Sequence, residues 1–174
     1  VRGVGFDDKN WERHTLFFAV VYLVAGAGLR FGIVIPNYFG LTDLVLQGWV
    51  ETISRIFYAG IFLLSAYASR RGGRSRLALV ILVAVDIVVS IASFSKMELL
   101  YSIIFTFLGL VFVGVTKKKI IAGLLIATAS FGAFSPIVVS GRDVLAARYG
   151  TIKGAGLAER LRIIGDFWDG QQTT

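Results

Sequence analysis

The sequence predicts an all-α fold, a polytopic helical membrane protein with about five transmembrane helices and an outer amphipathic helix. The first observation is composition: 56% of the 174 residues are hydrophobic and 17% are charged, whereas about a quarter of the residues in a soluble domain are charged. The second is a succession of five apolar runs, which leaves too little polar surface to cover a soluble core. The third is that basic residues stand in short blocks beside these runs.

Each apolar run is long enough to form a helix across the roughly 30 Å hydrocarbon core of a bilayer. The first run ends at Pro36 and Asn37, a pair that favours leaving a helix. The third and fourth runs are separated by a short polar turn with Lys96 and Glu98, which predicts a helical hairpin. The fifth run contains Pro136 near its end, where a kink is tolerated. The predicted spans are residues 15–35, 49–68, 77–94, 97–115 and 120–141.

The basic blocks predict the orientation of these helices. Seven of the 18 Lys and Arg residues lie in residues 70–76 and 117–119. The positive-inside rule places both blocks, and with them the N-terminus, in the cytoplasm. The turn at Lys96 and the residues from Arg142 onward then lie outside. Because these blocks flank apolar runs, the net charge of +7 does not indicate a nucleic-acid partner.

The last part of the sequence, residues 142–174, is predicted to be an outer segment. Apolar residues recur there at helical spacing, so 157–168 is predicted to form an amphipathic helix on a membrane face. The alternative is a connector toward a further spanning helix. No start methionine opens the sequence, and we expect 1–174 to be one membrane domain within a longer polytopic protein. The apolar positions of the predicted helix are Leu157, Leu161, Ile164 and Trp168.

Metal and cofactor chemistry find no support in the sequence. It contains no cysteine, and its one histidine, His14, has no partner at metal-ligand spacing. We interpret His14 as a polar residue at the membrane edge, and we expect no metal and no cofactor.

Four cations are predicted to lie at the outer level of the membrane. Arg30 and Arg55 lie about five and six residues from the outer ends of the first two predicted helices, Lys96 is in the outer turn, and Arg142 begins the outer segment. A cation inside a spanning helix costs about 2.5–3.5 kcal/mol at the centre and less near the edge. An outer-leaflet anion would offset this cost, and a lipid phosphate or diphosphate suits the bidentate hydrogen bonding of arginine.

A second interpretation of the same residues is purely structural. Glu51 and Arg55 stand at i, i+4 spacing and could pair on one helix face. Glu98 would then offset Lys96, and Arg30 would extend its side chain toward the membrane surface.

Asp86 lies near the midplane of the third predicted helix among apolar neighbours. A carboxylate there is protonated, hydrogen-bonded to a residue such as Ser90, or paired across the bundle. A proton or ion pathway is one alternative. A single interhelical hydrogen bond is favoured, because no second carboxylate accompanies Asp86 in the membrane interior.

Part of the sequence resembles the O-antigen polymerase, or oligosaccharide repeat unit polymerase, family. The resemblance covers roughly residues 75–150. It is carried by the turn "SFSKMELL" (93–100), the basic loop "TKKK" (116–119) and the helix exit "FSPIVVSGRDVLAARYG" (134–150). Members of that family are longer, with more spanning helices, which agrees with the expectation of a partial chain.

The resemblance implies polymerisation of lipid-linked repeat units at the periplasmic face of the bacterial inner membrane. The donor would be an undecaprenyl-diphosphate-linked oligosaccharide, and other polysaccharide assembly proteins would be partners. Cations would stabilise the diphosphate leaving group, and we assign this role first to Lys96, Arg142 and Arg148, then to Arg30 and Arg55. A carboxylate would act as general base, and the candidates are Glu98 and Glu51.

Two other classes of protein remain as alternatives. A transporter or flippase component would also bind lipid-linked anions, and it predicts inverted repeats or broken helices. A noncatalytic membrane scaffold needs only helix packing. Variants of the outer cations would leave glycan synthesis intact in that case.

Overall fold

A computed structural model describes residues 8–42, 48–113, 116–150 and 155–170, and the chain is helical, without a strand, in these ranges. Parts of the predicted fourth span and of the outer segment fall on residues 114–115, 151–154 and 171–174, which lie outside them. The helices are α1 (Asp8–Leu29), a π-helical turn (Arg30–Val34), α2 (Ile35–Tyr38), α3 (Gly48–Ser54), α4 (Ile56–Arg71), α5 (Arg74–Ala92), α6 (Lys96–Phe112), α7 (Lys117–Tyr149) and α8 (Leu157–Trp168).

The long helices form a bundle in which successive helices run in opposite directions. The helix α4 packs against α1, α5 and α6, and α6 also contacts α7. We call the end with the α4–α5 turn and the start of α7 the basic end. The start of α1 also lies there, because Arg71 pairs with Glu12 at 3.0 Å and Arg70 stacks over the ring of Trp11. We call the other end, with Tyr38 and the turn between α5 and α6, the hairpin end.

Four helical segments of the described chain are long and apolar enough to cross a membrane, and many of their apolar side chains are exposed. The fold is therefore compatible with a multi-pass helical membrane protein. The helix α6, which corresponds to the predicted fourth span, has 17 residues and is not one of these four segments. The four segments are Asn10–Tyr38, Gly48–Arg71, Arg74–Ala92 and Ile121–Tyr149.

The first helical segment is longer than predicted. The expectation that the helix ends at Pro36 and Asn37 is wrong, because both residues lie inside α2, which continues to Tyr38. Proline lacks an N–H group and its ring collides with the carbonyl four residues earlier in a regular α-helix. The π-helical turn Arg30–Val34 comes directly before Ile35, and such a wide turn changes the spacing of the carbonyls that precede the proline.

The helix α7 is also longer than predicted. It continues eight residues beyond residue 141 and ends at Tyr149, with Gly150 in the left-handed conformation as its C-cap. Arg142 therefore stands within the helix instead of beginning a loop, and Pro136 lies in its interior. The left-handed glycine after Tyr149 is a common helix stop signal.

Glycines allow α1 and α4 to approach closely. A Cβ atom on Gly26 would lie 2.4 Å from the backbone nitrogen of Phe57, and one on Gly60 would lie 2.7 Å from a side-chain carbon of Leu23. The GxxxG pattern at residues 28–32 indicates such packing, but added Cβ atoms at Gly28 and Gly32 would have no neighbour within 4 Å. The close contact is made instead by Gly26 of α1 and Gly60 of α4.

The helix α8 covers the residues that were predicted to form an amphipathic helix. It packs against α7 and α5, with Arg160 and Ile163 buried. Leu157, Leu161 and Trp168 are exposed. One face of α8 therefore packs on the bundle, and another face exposes an apolar stripe.

Candidate functional site

The centre of the site is a buried ion pair between the first helical segment and α5. The Nε atom of Arg30 donates a hydrogen bond to Oδ1 of Asp86 at 2.8 Å. The two side chains are 1% and 0% exposed. A buried charge needs such a partner, since an isolated ion in an apolar medium is strongly disfavoured.

The helix α6 completes this pair into a network. Arg30 also donates through Nη2 to Oε2 of Glu98 at 2.9 Å, and less closely to the hydroxyl of Ser90 at 3.4 Å. The hydroxyl of Ser102 donates to Oδ2 of Asp86 at 2.6 Å. One guanidinium thus joins three segments of the chain, and both oxygens of Asp86 accept a hydrogen bond.

Local helix geometry explains why these side chains meet. Asp86 and Ser90 stand four residues apart on α5, as Glu98 and Ser102 do on α6, so each pair lies on one face of its helix. The hairpin between α5 and α6 directs both of these faces toward the first helical segment, which carries Arg30. The π-helical turn begins at Arg30 itself, and π turns are frequent at functional sites.

Aromatic rings enclose the guanidinium of Arg30. Its Cζ atom lies 5.9, 5.8 and 5.3 Å from the ring centroids of Phe31, Phe57 and Tyr58. Contacts of this kind are favourable and become stronger where water is excluded. The hydroxyl of Tyr58 is buried and has no hydrogen-bond partner in the described residues.

These contacts correct three structural interpretations of the sequence. Arg30 does not extend toward the membrane surface, because its side chain is buried in the bundle. Asp86 makes more than a single hydrogen bond, and pairing across the bundle is the alternative found. Glu98 pairs with Arg30 and forms no ion pair with Lys96 in the described part of the chain. Arg30 and Glu98, assigned separately from sequence, thus contact each other directly.

Three other predicted anion-binding residues lie at the hairpin end. Lys96 is half-buried in the first turn of α6, Arg142 is exposed on α7, and Arg55 is exposed at the break between α3 and α4. Arg55 stacks over the ring of Tyr101 at 5.6 Å. None of the three cations forms an ion pair within the described residues. We call Arg55, Lys96 and Arg142 the outer cations.

Further contacts show how these residues relate to one another. The hydroxyl of Tyr38 lies within electrostatic range of Glu51, Glu98, Arg55 and Arg142. The ring of Phe94 packs on the backbone of α7, because a Cβ atom added there at position 141 would lie 2.2 Å from a ring carbon. The hairpin turn before Lys96 is therefore in direct contact with the turn of α7 that carries Arg142. Glu51 is half-buried in α3, near the start of the second helical segment.

Arg148 has a different position from the outer cations. It forms an ion pair with Glu159 of α8, and its side chain is 45% exposed. Arg148 therefore links the end of α7 to α8, and its charge already has a carboxylate partner.

The burial of Arg160 is not expected from the amphipathic pattern of α8. Its side chain is 0% exposed, and it donates from Nε to the carbonyl of Ala155 at 2.9 Å, from Nη2 to Tyr38 at 2.9 Å and from Nη1 to Ala92 at 3.4 Å. Burial lowers the pKa of Arg160, while Tyr38 acts in the opposite direction. A general rule does favour such contacts: the last carbonyls of a helix need hydrogen-bond donors, and arginine often supplies them. Tyr38 and Ala92 are the last residues of α2 and α5.

The described residues contain no group of three or more His, Asp or Glu side chains that could hold a metal ion. No protein-family model, no curated protein and no solved structure matches this chain. The fold is compatible with the class of multi-pass helical membrane proteins. Within that class, the chain is characterised by a buried arginine with two carboxylate partners, near three cations that form no ion pair with any described residue.

Proposed function

We propose that the protein polymerises lipid-linked oligosaccharide repeat units into surface polysaccharide. The observation that supports this proposal best is the contrast among the cations of the hairpin end. Arg30 and Arg148 have carboxylate partners, whereas the outer cations Arg55, Lys96 and Arg142 form no ion pair in the described ranges. Cations left without partners at one end of an apolar bundle suit a lipid-borne diphosphate.

The position of Lys96 supports the same ligand. It stands in the first turn of α6, where the helix dipole disfavours a cation and favours an anion. A diphosphate bound there would satisfy both the lysine and the helix N-terminus. Arg142 and Arg55 would approach the same group from α7 and from the break before α4.

The reaction follows from these roles. A hydroxyl oxygen of the acceptor unit forms a bond to the anomeric carbon of the donor, and the bond from that carbon to the diphosphate oxygen breaks. The electron pair leaves with the diphosphate, whose developing charge the outer cations stabilise. The hydroxyl proton passes to a carboxylate. Glu98 is the first candidate, because Arg30 fixes its Oε2 atom and Oε1 has no hydrogen bond to the described residues; Glu51 is the second.

Within this proposal Arg30 becomes a positioning residue instead of a ligand for the diphosphate. Its hydrogen bonds to Asp86 and Glu98 orient the proposed base. Arg148 likewise holds α8 through Glu159 and contributes to the site through that helix.

The proposal includes a topology. The basic end lies in the cytoplasm under the positive-inside rule, which places the hairpin end at the periplasmic face of the bacterial inner membrane. The helix α6 is then a fifth span, since 17 residues extend about 26 Å. The helix α8 lies at the periplasmic face with the stripe Leu157, Leu161 and Trp168 in the lipid interface.

The test is complementation of a polymer-deficient host by the full-length protein with Lys96→Ala or Arg142→Ala. We expect the long surface polysaccharide chains to disappear from gels while the protein level on blots stays normal. The matched controls are Lys118→Ala and Arg74→Ala at the basic end, which we expect to leave chain length unchanged. Normal chain lengths in the Lys96 and Arg142 variants would overturn the proposal and favour a scaffold.

A second candidate function is transport of the lipid-linked anion. The supporting observation is that two apolar segments are interrupted, one by the π-helical turn at Arg30 and one by the break at Arg55. Interrupted helices are typical of transporter binding sites. In proteoliposomes a flippase would move a lipid-diphosphate probe between leaflets without any increase in glycan length, whereas the polymerase would lengthen the glycan.

A further inference from the structure

A second site lies at the basic end, away from the outer cations. A groove between α4, α5, α6 and α7 has a cavity volume of about 640 Å³. Small-molecule sites have volumes of about 300–1,000 Å³. The groove is therefore large enough to hold a ligand or part of one.

The wall of the groove is apolar. The helix α5 contributes Leu79, Val83 and Ile87, which recur at i, i+4 spacing on one helix face, and α6 contributes Phe107 and Leu110. Such a surface inside a membrane bundle has no affinity for water and matches a hydrocarbon chain.

The length of the groove corresponds to one leaflet. Its lining begins at Arg76 and reaches Ile87 on the same helix. Eleven residues of α-helix extend about 17 Å, and half of the hydrocarbon core of a bilayer is about 15 Å thick. At its end farthest from Arg76, toward the middle of the bundle, the groove reaches Thr106. The hydroxyl of Thr106 donates to the carbonyl of Ser102 at 2.7 Å.

Arg76 stands at the mouth of the groove, where the groove opens at the basic end. Its Nε and Nη2 atoms donate to the carbonyls of Ala68 and Ser69 at the end of α4, at 3.2 and 3.4 Å. These bonds fix the plane of the guanidinium. The two N–H groups of Nη1 have no hydrogen-bond partner in the described residues and can reach an anion. Arg74 adds a second exposed cation at the same turn.

From these features we infer that the groove binds one acyl chain of an anionic glycerophospholipid, with the headgroup phosphate at Arg76. The charge complementarity at the mouth selects an anionic headgroup, and the apolar wall of one-leaflet length selects the chain. This site is independent of the proposed polymerase function, because it lies at the other end of the bundle and shares no residue with the outer cations.

The experiment uses the full chain in lipid nanodiscs and two photoreactive probes. One probe is phosphatidylglycerol with a diazirine at the end of an acyl chain, and the other is phosphatidylcholine with the same chain. After irradiation, mass spectrometry of proteolytic fragments locates the label. We expect the anionic probe to label α5 and α6 around Ile87 and Thr106 several-fold more than the zwitterionic probe.

Two pairs of variants separate the chain from the headgroup. Ala84→Trp fills the groove and should reduce the labelling several-fold, whereas Ala129→Trp, on an exposed face of α7, should not. Arg76→Gln should reduce labelling by the anionic probe to the level of the zwitterionic one, whereas Arg74→Gln should retain most of the difference. A melting temperature for each variant confirms that it is folded.

Competition identifies the occupant. Unlabelled phosphatidylglycerol should displace the probe, and inorganic phosphate or glycerol phosphate should not. Equal labelling by the two probes, or unchanged labelling in Ala84→Trp, would overturn the inference. Displacement by inorganic phosphate alone, stronger displacement by a polyprenyl phosphate, or crosslinks to a second copy of the chain in place of lipid would overturn it as well.

Discussion

Arg30 and Asp86 are separated by 56 positions in the chain, and their side chains form a hydrogen-bonded ion pair at 2.8 Å in the interior of the bundle. This pair joins the first helical segment to α5, and Glu98 extends it to α6. A buried pair contributes little net stability, but removal of one partner leaves an uncompensated charge. Any packing of the three segments that separates Arg30 from Asp86 is therefore disfavoured, because it leaves a buried charge without its partner.

The first prediction concerns this ion pair. Asp86→Ala leaves the guanidinium of Arg30 with fewer partners, and we expect the free energy of unfolding in detergent micelles to fall by about 3–5 kcal/mol. The double variant Arg30→Met/Asp86→Ala should lose clearly less than the sum of the two single variants. Asp143→Ala, at an exposed carboxylate on α7, is the control. Strictly additive losses would show that the two side chains do not interact.

The second prediction concerns the hydroxyl of Tyr58. It is buried without a hydrogen-bond partner in the described part of the bundle, and such a group costs about 1–3 kcal/mol by protein mutational data. Tyr58→Phe should therefore raise the free energy of unfolding. Tyr101→Phe, at a partly buried tyrosine nearby, should have a smaller effect. A loss of stability in Tyr58→Phe would mean that the hydroxyl has a partner.

The third prediction tests the close contact between α1 and α4. Gly26→Val would bring side-chain atoms against the backbone of Phe57, where a Cβ alone would lie 2.4 Å away. We expect a loss of about 1–3 kcal/mol or more, as in other overpacked cores. Gly28→Val is the matched control two residues on, since its Cβ would have no neighbour within 4 Å. Equal losses in the two variants would contradict the packing described above.

The fourth prediction concerns the attachment of α8. Arg160→Met removes the donors to the carbonyls of Tyr38 and Ala92 and should increase the exposure of this helix. Because the chain contains no cysteine, Ile163→Cys provides a single label at a buried position. We expect its reaction with a water-soluble maleimide to become several-fold faster in the Arg160→Met background. The exposed Arg162→Met background should leave the rate unchanged, and a rate that is equal in both would argue against this attachment.

Hydrophobic periodicity predicts much of this fold. The apolar runs indicate helices, the polar turn at Lys96 indicates a hairpin, and the bounds of α8 agree with those expected from the spacing of Leu157, Leu161, Ile164 and Trp168. These features depend on local sequence, because a run of apolar side chains favours a helix wherever the bilayer or a bundle accepts it.

Local sequence does not predict the pairing of Arg30 with Asp86, because it does not indicate that the two residues lie at the same depth. If Pro36 ends the helix, Arg30 lies about five residues from the membrane surface, but the helical segment continues eight residues past Arg30 to Tyr38. The π-helical turn also changes which residues share a face, so counting at regular α-helical spacing fails across it.

Arg160 illustrates a second limit. Its neighbours in sequence suggest a polar face, and the helical pattern of α8 does not distinguish a solvated arginine from a buried one. What selects the buried position is a set of carbonyls on α2 and α5, which only the assembled bundle brings together. Side-chain positions that depend on distant helix ends are not encoded in local periodicity.

The contacts of Arg160 have a consequence for biosynthesis. Its partners Tyr38 and Ala92 leave the ribosome 122 and 68 residues earlier, so these two hydrogen bonds can form only after the intervening helices have been synthesised. A nascent chain that ends before residue 155 lacks the arginine that joins these two helix ends. Completion of α8 therefore adds the last contacts that join the end of the first helical segment to the end of α5.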